Sequence, residues 1–210
     1  LMVLRAFSEN YFYSTIAVVE SIIHAVNNGA RIINLGLILE NENTDIADAI
    51  SYASDNGVII FSPAGDNGFY SEDVEWPASR ADVIAVGGTD LDDRRAKWGY
   101  RIESNQGPNT EISLPAENIE VRDIYGPNGN NPGSWVTSTT IASCAMATGV
   151  AALMLSANPC LNADEIREIL IQSCEKVGGY SYNSAGWCPE LGYGRLNAYT
   201  AVRLALGLNE

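Results

Sequence analysis

Histidine is nearly absent from this chain of 210 residues: His24 is the only one. Chemistry that needs an imidazole base or a histidine metal ligand therefore has a single candidate. Basic residues are also scarce, 12 Lys and Arg against 26 Asp and Glu, which gives a net charge of −14. That balance argues against nucleic acid or an anionic membrane as partner, because both attract a basic surface. Its plainest meaning is solubility. The apolar runs read as too short to span a bilayer. No secretory signal precedes Leu1, and the first residue is not methionine, so a processed or excerpted piece is expected. Cys144, Cys160, Cys174 and Cys188 lack metal-ligand spacing. Cys144 lies among small residues and reads as a buried apolar side chain. The other three leave two states open, all free or one bridge.

What is present suffices for one core. At 46% hydrophobic, the chain can bury a sizeable interior. No repeat, low-complexity tract or linker divides it, so residues 1–210 read as one domain. Strand and helix patterns alternate, the mark of an α/β fold with a mainly parallel sheet and helices on both faces. A strand is expected over 1–7, apolar on both faces except for Arg5. A helix follows over about 14–28, with Ile16, Val19, Ile23 and Val26 facing inward and Asn27-Asn28-Gly29 as its stop. A second helix is expected over about 44–54, burying Ile46, Ala49, Ile50 and Ala53. Residues 58–61 read as a short strand covered on both sides. Residues 103–134, rich in Asn, Gly and Pro, read as surface loop with one strand. Asn162 and Glu165 form a capping-box pattern that opens a helix to about residue 174.

Several ordered segments carry a resemblance. Leu1-Met2-Val3-Leu4-Arg5-Ala6-Phe7 is followed by Arg31-Ile32-Ile33-Asn34-Leu35-Gly36-Leu37 and Ser62-Pro63-Ala64-Gly65-Asp66-Asn67-Gly68. Trp76-Pro77-Ala78, Val83-Ile84-Ala85-Val86-Gly87-Gly88, Ser113-Leu114-Pro115-Ala116 and Gly192-Tyr193-Gly194-Arg195-Leu196-Asn197-Ala198 come next in order. Together with the small-residue helix from Thr137 to Leu155, they resemble the C-terminal two-thirds of a subtilisin-like serine peptidase (subtilase) domain. The resemblance implies a subtilisin-like fold that lacks its N-terminal strands.

The same resemblance implies where a site should lie, and this chain departs from it at each point. The family's nucleophilic serine opens the buried helix. A gap-free alignment on Gly149 and Pro159 puts Ile141 there, and one extra residue within the helix puts Thr140 there. Ser138 and Ser143 are two or more residues out of register, about half a helical turn away. Asp66 stands where the family has its oxyanion asparagine, and an ionised carboxylate accepts hydrogen bonds but donates none. Substrate would run along Gly36, Leu37 and Ile38 and past Ala64 and Gly65. Ile38 and Leu39 replace glycines of the family, either filling the cleft or presenting an apolar ledge. The family's Asp and His precede the first residue here, and His24 sits in a helix that packs on the sheet face.

These residues predict a pseudoprotease module that binds or completes an assembly without hydrolysis by this chain alone. The competing expectation is an active serine endopeptidase completed by an N-terminal segment carrying Asp and His, with Thr140, Ser138 or Ser143 recruited as nucleophile. A structural remnant is the third. An N-terminal fragment of the same precursor, a partner protein or a second copy is expected to cover strand 1–7, and an extended peptide is the expected cleft ligand. No cofactor is expected. The resemblance implies a cis bond at Trp76-Pro77, a weak cation near Ala78, Arg80 and Val83, and a secreted or extracytoplasmic location.

Overall fold

The structure is a computed structural model, in which the described residues are 1–7, 13–70, 73–122 and 134–208. Helix α1 (Thr15–Asn27) starts where Ser14 Oγ accepts the Ala17 N–H, and α2 (Thr44–Asp55) starts where Asn43 Oδ1 accepts the Ile46 N–H. α2 buries Ile46, Ala49, Ile50 and Ala53, the stripe its periodicity predicts. α1 follows expectation in part, with Val19 and Val26 packed half-buried against the core. It buries Val18, Ile22 and Ala25, whereas Ile16 is 69% exposed and Ile23 37%. Both stripes repeat at helical spacing on neighbouring faces, and packing against α2 selects between them.

Strands β1 (Ile32–Asn34), β2 (Ile59–Pro63), β3 (Ile84–Thr89) and β4 (Ile112–Pro115) pair in parallel in that order. Two short strands finish the sheet, with β7 (Cys174–Glu175) antiparallel to β8 (Arg195–Leu196) and β8 parallel to β4. Alternate residues of β2 show why this sheet must be covered twice. Ile59 and Phe61 join the core beneath α3 (Thr140–Ala157), α4 (Ala163–Gln172) and α5 (Ala198–Ala205). Ile60 joins the other core, beneath α1 and α2. The capping box of α4 is complete, with Glu165 N bonded to Asn162 Oδ1 and Asn162 N to Glu165 Oε2. The fold is subtilisin-like, a mainly parallel sheet between helices.

Three expectations need correction. α3 is 18 residues long with a mean hydropathy of 1.7, long and apolar enough to cross a membrane; here its buried face packs over β2, β3 and β4 as a core helix. The segment 103–134 holds more than one strand: β4 is followed by a hairpin of β5 (Ile119–Arg122) against β6 (Ser134–Thr137), while 123–133 lie outside the described residues. Residues 1–7 form no sheet strand, and their only ladder contact among the described residues is the bridge Phe7–Tyr13. Between this segment and the outer edge of β1 runs a slot of about 780 Å³, lined by Leu4, Phe7, Ile32, Asn34 and, from α3, Thr148 and Ala152. An extended segment with no neighbour at hydrogen-bonding distance cannot form a ladder.

Candidate functional site

The C-terminal ends of β1 and β2 and the first turn of α3 converge at one edge of the sheet, the usual position for a site in an open α/β fold. Three bonds tie Asp66 to α3. Thr139 Oγ1 donates to Asp66 Oδ2 at 2.6 Å, and Thr140 donates to Oδ1 through both its N–H at 2.9 Å and its hydroxyl at 2.8 Å. The carboxylate therefore caps the positive end of α3, where a negative charge is favourable. Thr140 is fully buried, and its Oγ1 also accepts the Gly65 N–H at 3.3 Å. Its neighbour Ile141 is turned outward, 41% exposed. A side chain at Gly36 would meet Ile141 Cγ2 at 3.6 Å, so these two residues face each other across the mouth of the site.

The other predicted residues divide into core and rim. Ala64 and Leu37 are buried, so only their backbone can face a ligand. The Leu37 carbonyl accepts Ser62 Oγ at 3.2 Å. Ile38 is half-buried, and the following Leu39 N–H bonds to the Trp76 carbonyl at 2.8 Å. Gly65 has φ +115°, and a Cβ there would lie 2.6 Å from Glu75 Oε2, so the loop needs glycine. Ser143 is buried with its hydroxyl on the carbonyls of Leu114 and Pro115, and Ser138 Oγ accepts the Asn118 N–H. His24 is exposed on α1, which packs on the opposite face of the sheet from α3.

Some of the site was invisible in the sequence. Asn105 Oδ1 accepts the Asn67 N–H at 2.8 Å and so braces the Asp66 loop from 38 residues away. Glu75 packs beside Gly65, with Oε1 accepting Asn67 Nδ2 at 3.0 Å and Oε2 buried without a partner among the described residues. Burial raises its carboxyl above the usual range, the Asn67 bond opposes this, and Asp66 and Glu40 add to the rise. No local spacing links these residues. Cys144 Sγ donates to Asn34 Oδ1 at 3.2 Å, and burial pushes its thiol far up despite the Thr148 hydroxyl. A neutral buried thiol is no nucleophile. All four cysteines are free.

The Trp76-Pro77 bond is cis. In the loop that follows, the Arg80 guanidinium forms two bonds to Asp82, at 2.8 and 2.7 Å, and the Arg80 carbonyl accepts the Val83 N–H. The loop expected to line a weak cation is thus closed by an Arg80–Asp82 pair and a turn bond from Val83. Among the described residues, no group of three or more His, Cys, Asp or Glu could hold a metal.

A sequence profile of the subtilase family matches residues 1–194. The chain belongs to the subtilase family. It is 33% identical over 202 residues to the thermophilic serine proteinase of Bacillus sp. (strain AK1), an alignment covering 96% of this chain and 45% of that protein. It is 36% identical over 180 residues to the calcium-dependent protease of Trichormus variabilis, covering 75% of this chain and 27% of that one. The chain thus spans less than half the length of either relative. Among solved structures, the prenylagaramide maturation protease PagA superposes with a TM-score of 0.74 at 26% identity, covering 96% of this chain and 71% of that chain. The patellamide maturation protease PatA superposes equally well, with a TM-score of 0.74 at 26% identity, covering 96% of this chain and 72% of that chain. In this subtilase chain, the first turn of α3 offers a buried threonine and an exposed isoleucine where the resemblance expects serine.

Proposed function

We propose that residues 1–210 are a partial subtilase domain that holds an extended polypeptide and does not cleave it with its own residues. One observation carries this reading: the Thr140 hydroxyl is buried and bonded to Asp66, and the side chain presented at the helix start is Ile141. Acyl transfer needs an accessible nucleophile, a base within reach and a donor for the oxyanion. Thr140 is inaccessible, His24 lies on the far face of the sheet, and Asp66 accepts from α3 rather than donating. A fluorophosphonate probe tests this directly, since labelling requires an activated hydroxyl. The expected result is no labelling and no peptide hydrolysis, for the chain and for the Thr140→Ser/Asp66→Asn double variant alike. Hydrolysis by that double variant well above background would refute the missing-base argument.

A second reading is favoured by the slot beside β1 and by relatives that bear the names of proteases. A strand seated there, from an N-terminal fragment of the same precursor, would pair with β1 and cover the apolar residues of 1–7. Such a segment carrying Asp and His would supply the base, and labelling that appears only when it is added in trans would support this endopeptidase reading. The open edge has its own test. Leu1 and Val3 are exposed, Val3 at 84%, and β1 has pairing on one side only, an arrangement that invites association. Sedimentation of the purified chain should show self-association or a bound partner, and amide exchange should be slow at 1–7 only once that edge is covered. A stable monomer with freely exchanging amides there and no tendency to aggregate would overturn this expectation. An extracytoplasmic location belongs to the same proposal.

A further inference from the structure

An arginine and three aromatic rings stand beside the loop that carries Asp66. The hairpin over 97–103 closes with Trp98 N bonded to the Ile102 carbonyl at 3.0 Å, and Lys97 pairs with Glu103. At its tip Arg101 adopts φ +65°, a left-handed conformation that side-chain-bearing residues rarely take. Its guanidinium carbon lies 5.3, 5.8 and 4.8 Å from the ring centroids of Phe69, Tyr70 and Tyr100. One nitrogen, Nη1, donates to Tyr70 Oη at 3.3 Å. The rings remain open to solvent, Phe69 at 51%, Tyr70 at 70% and Tyr100 at 81%.

Two features separate this cluster from an ordinary exposed arginine. The hairpin is fastened to the loop that carries Asp66: the Gly68 N–H bonds to the Glu103 carbonyl at 3.0 Å, and Arg95 holds Glu103 Oε2 at 2.6 Å. A Cβ at Gly68 would stand 2.5 Å from the Ser104 carbonyl, so the two loops touch backbone to backbone. The second feature is charge. In a chain with 26 acidic residues and 12 basic ones, Arg101 has no carboxylate partner among the described residues. The three rings hold the guanidinium beside them, and with only Nη1 bonded among the described residues it has further N–H groups for a carboxylate, which can take two at once.

We infer that this arginine-on-aromatics platform receives an acidic side chain of an extended polypeptide, with an adjacent apolar residue resting on the exposed rings. The inference rests on the reading of the chain as a polypeptide-binding module and names the sequence that module prefers. An internal Asp or Glu fits better than a C-terminal carboxylate. A chain end is recognised in a closed nest of backbone donors, and this platform stands open on the rim. Local charge complementarity matters here because the rest of the surface repels acidic peptides.

Fluorescence anisotropy with short labelled peptides, differing only in a central Leu-Glu or Leu-Gln pair, tests the inference on the full chain. The Glu peptide should bind about fivefold more tightly at low salt, the scale of one well-placed exposed ion pair, and added salt should erode the difference. The preference should vanish in Arg101→Ala and survive in Lys97→Ala, which alters the same hairpin away from the rings. Arg101→Gly, which removes the side chain and relieves the left-handed backbone, should abolish the preference without lowering the melting temperature. Equal binding of the two peptides, or a preference that survives Arg101→Ala, overturns the inference while leaving the binding-module reading in place. Tighter binding of a peptide whose only carboxylate is its C-terminus also overturns it. If neither peptide binds, the inference and the binding-module reading both fall.

Discussion

Replacing Asp66 with alanine should destabilise the fold by about 3 kcal/mol, because a charged acceptor is lost and buried donors remain. The Thr140 N–H and hydroxyl both point at Asp66 Oδ1 from a fully buried residue. The N-terminal end of α3 also loses a negative charge that its own first turn, which holds no acidic residue, does not replace. For a chain of this size the loss corresponds to a fall in Tm of about 6–12 °C. Asp66→Asn should cost only about 1 kcal/mol, because its amide oxygen can still accept from Thr140 and Thr139 can turn its hydroxyl to accept from the amide. Thermal melts followed by circular dichroism separate the two. A neutral Asp66→Ala substitution would mean that the capping geometry has no energetic weight.

A second large effect is expected at the other end of the sheet, from Arg167→Ala. Arg167 on α4 binds Glu111 with two bonds, Nε to Oε1 at 2.6 Å and Nη2 to Oε2 at 2.7 Å, and a third reaches the Ala81 carbonyl at 2.9 Å. Burial alone would pull its guanidinium down, yet the paired carboxylate holds it above its ordinary value. Glu111 is only 6% exposed and stands just before β4, so removing Arg167 strands a buried charge. Breaking such a pair from one side costs about 3 kcal/mol here, the low end of the usual range because the Arg167 side chain keeps 38% of its exposure. The double variant Arg167→Met/Glu111→Gln should recover most of the loss. Chemical denaturation of the three proteins measures this, and equal losses in the single and double variants would contradict the buried-charge account.

Features set by near neighbours were legible in the sequence. Asn162 and Glu165 form both bonds of the predicted box because both partners lie within one turn. The stripe of α2 was unambiguous, since its remaining positions are mostly polar. α1 was not, because Ile16, Val18, Val19, Ile22, Ile23 and Val26 give two apolar stripes and only the packing partner decides between them. The strand expected over 1–7 has the right composition, but strand structure belongs to a pair of segments, and among the described residues this one meets only Tyr13 in a bridge. At the site, the loop around Asp66 was locatable from its resemblance to the family's oxyanion loop. Its use as a helix cap was not, because its partners Thr139 and Thr140 lie 73 and 74 residues away. Arg101 and its rings were equally hidden, since Phe69 and Tyr70 meet Tyr100 and Arg101 only through a hairpin contact.

The slot beside β1 bears on time as well as affinity. Its two walls are residues 1–7 and β1, which follow one another along the chain with α1 between them, so a strand seated there would have a neighbour on each side rather than on one. A strand there would meet backbone on both edges and side chains of α1 and α3 on its two faces. Departure would then require both edges to separate, which lengthens the stay relative to a strand held on one side. A segment seated in that position would be held as a latch is, from two sides at once.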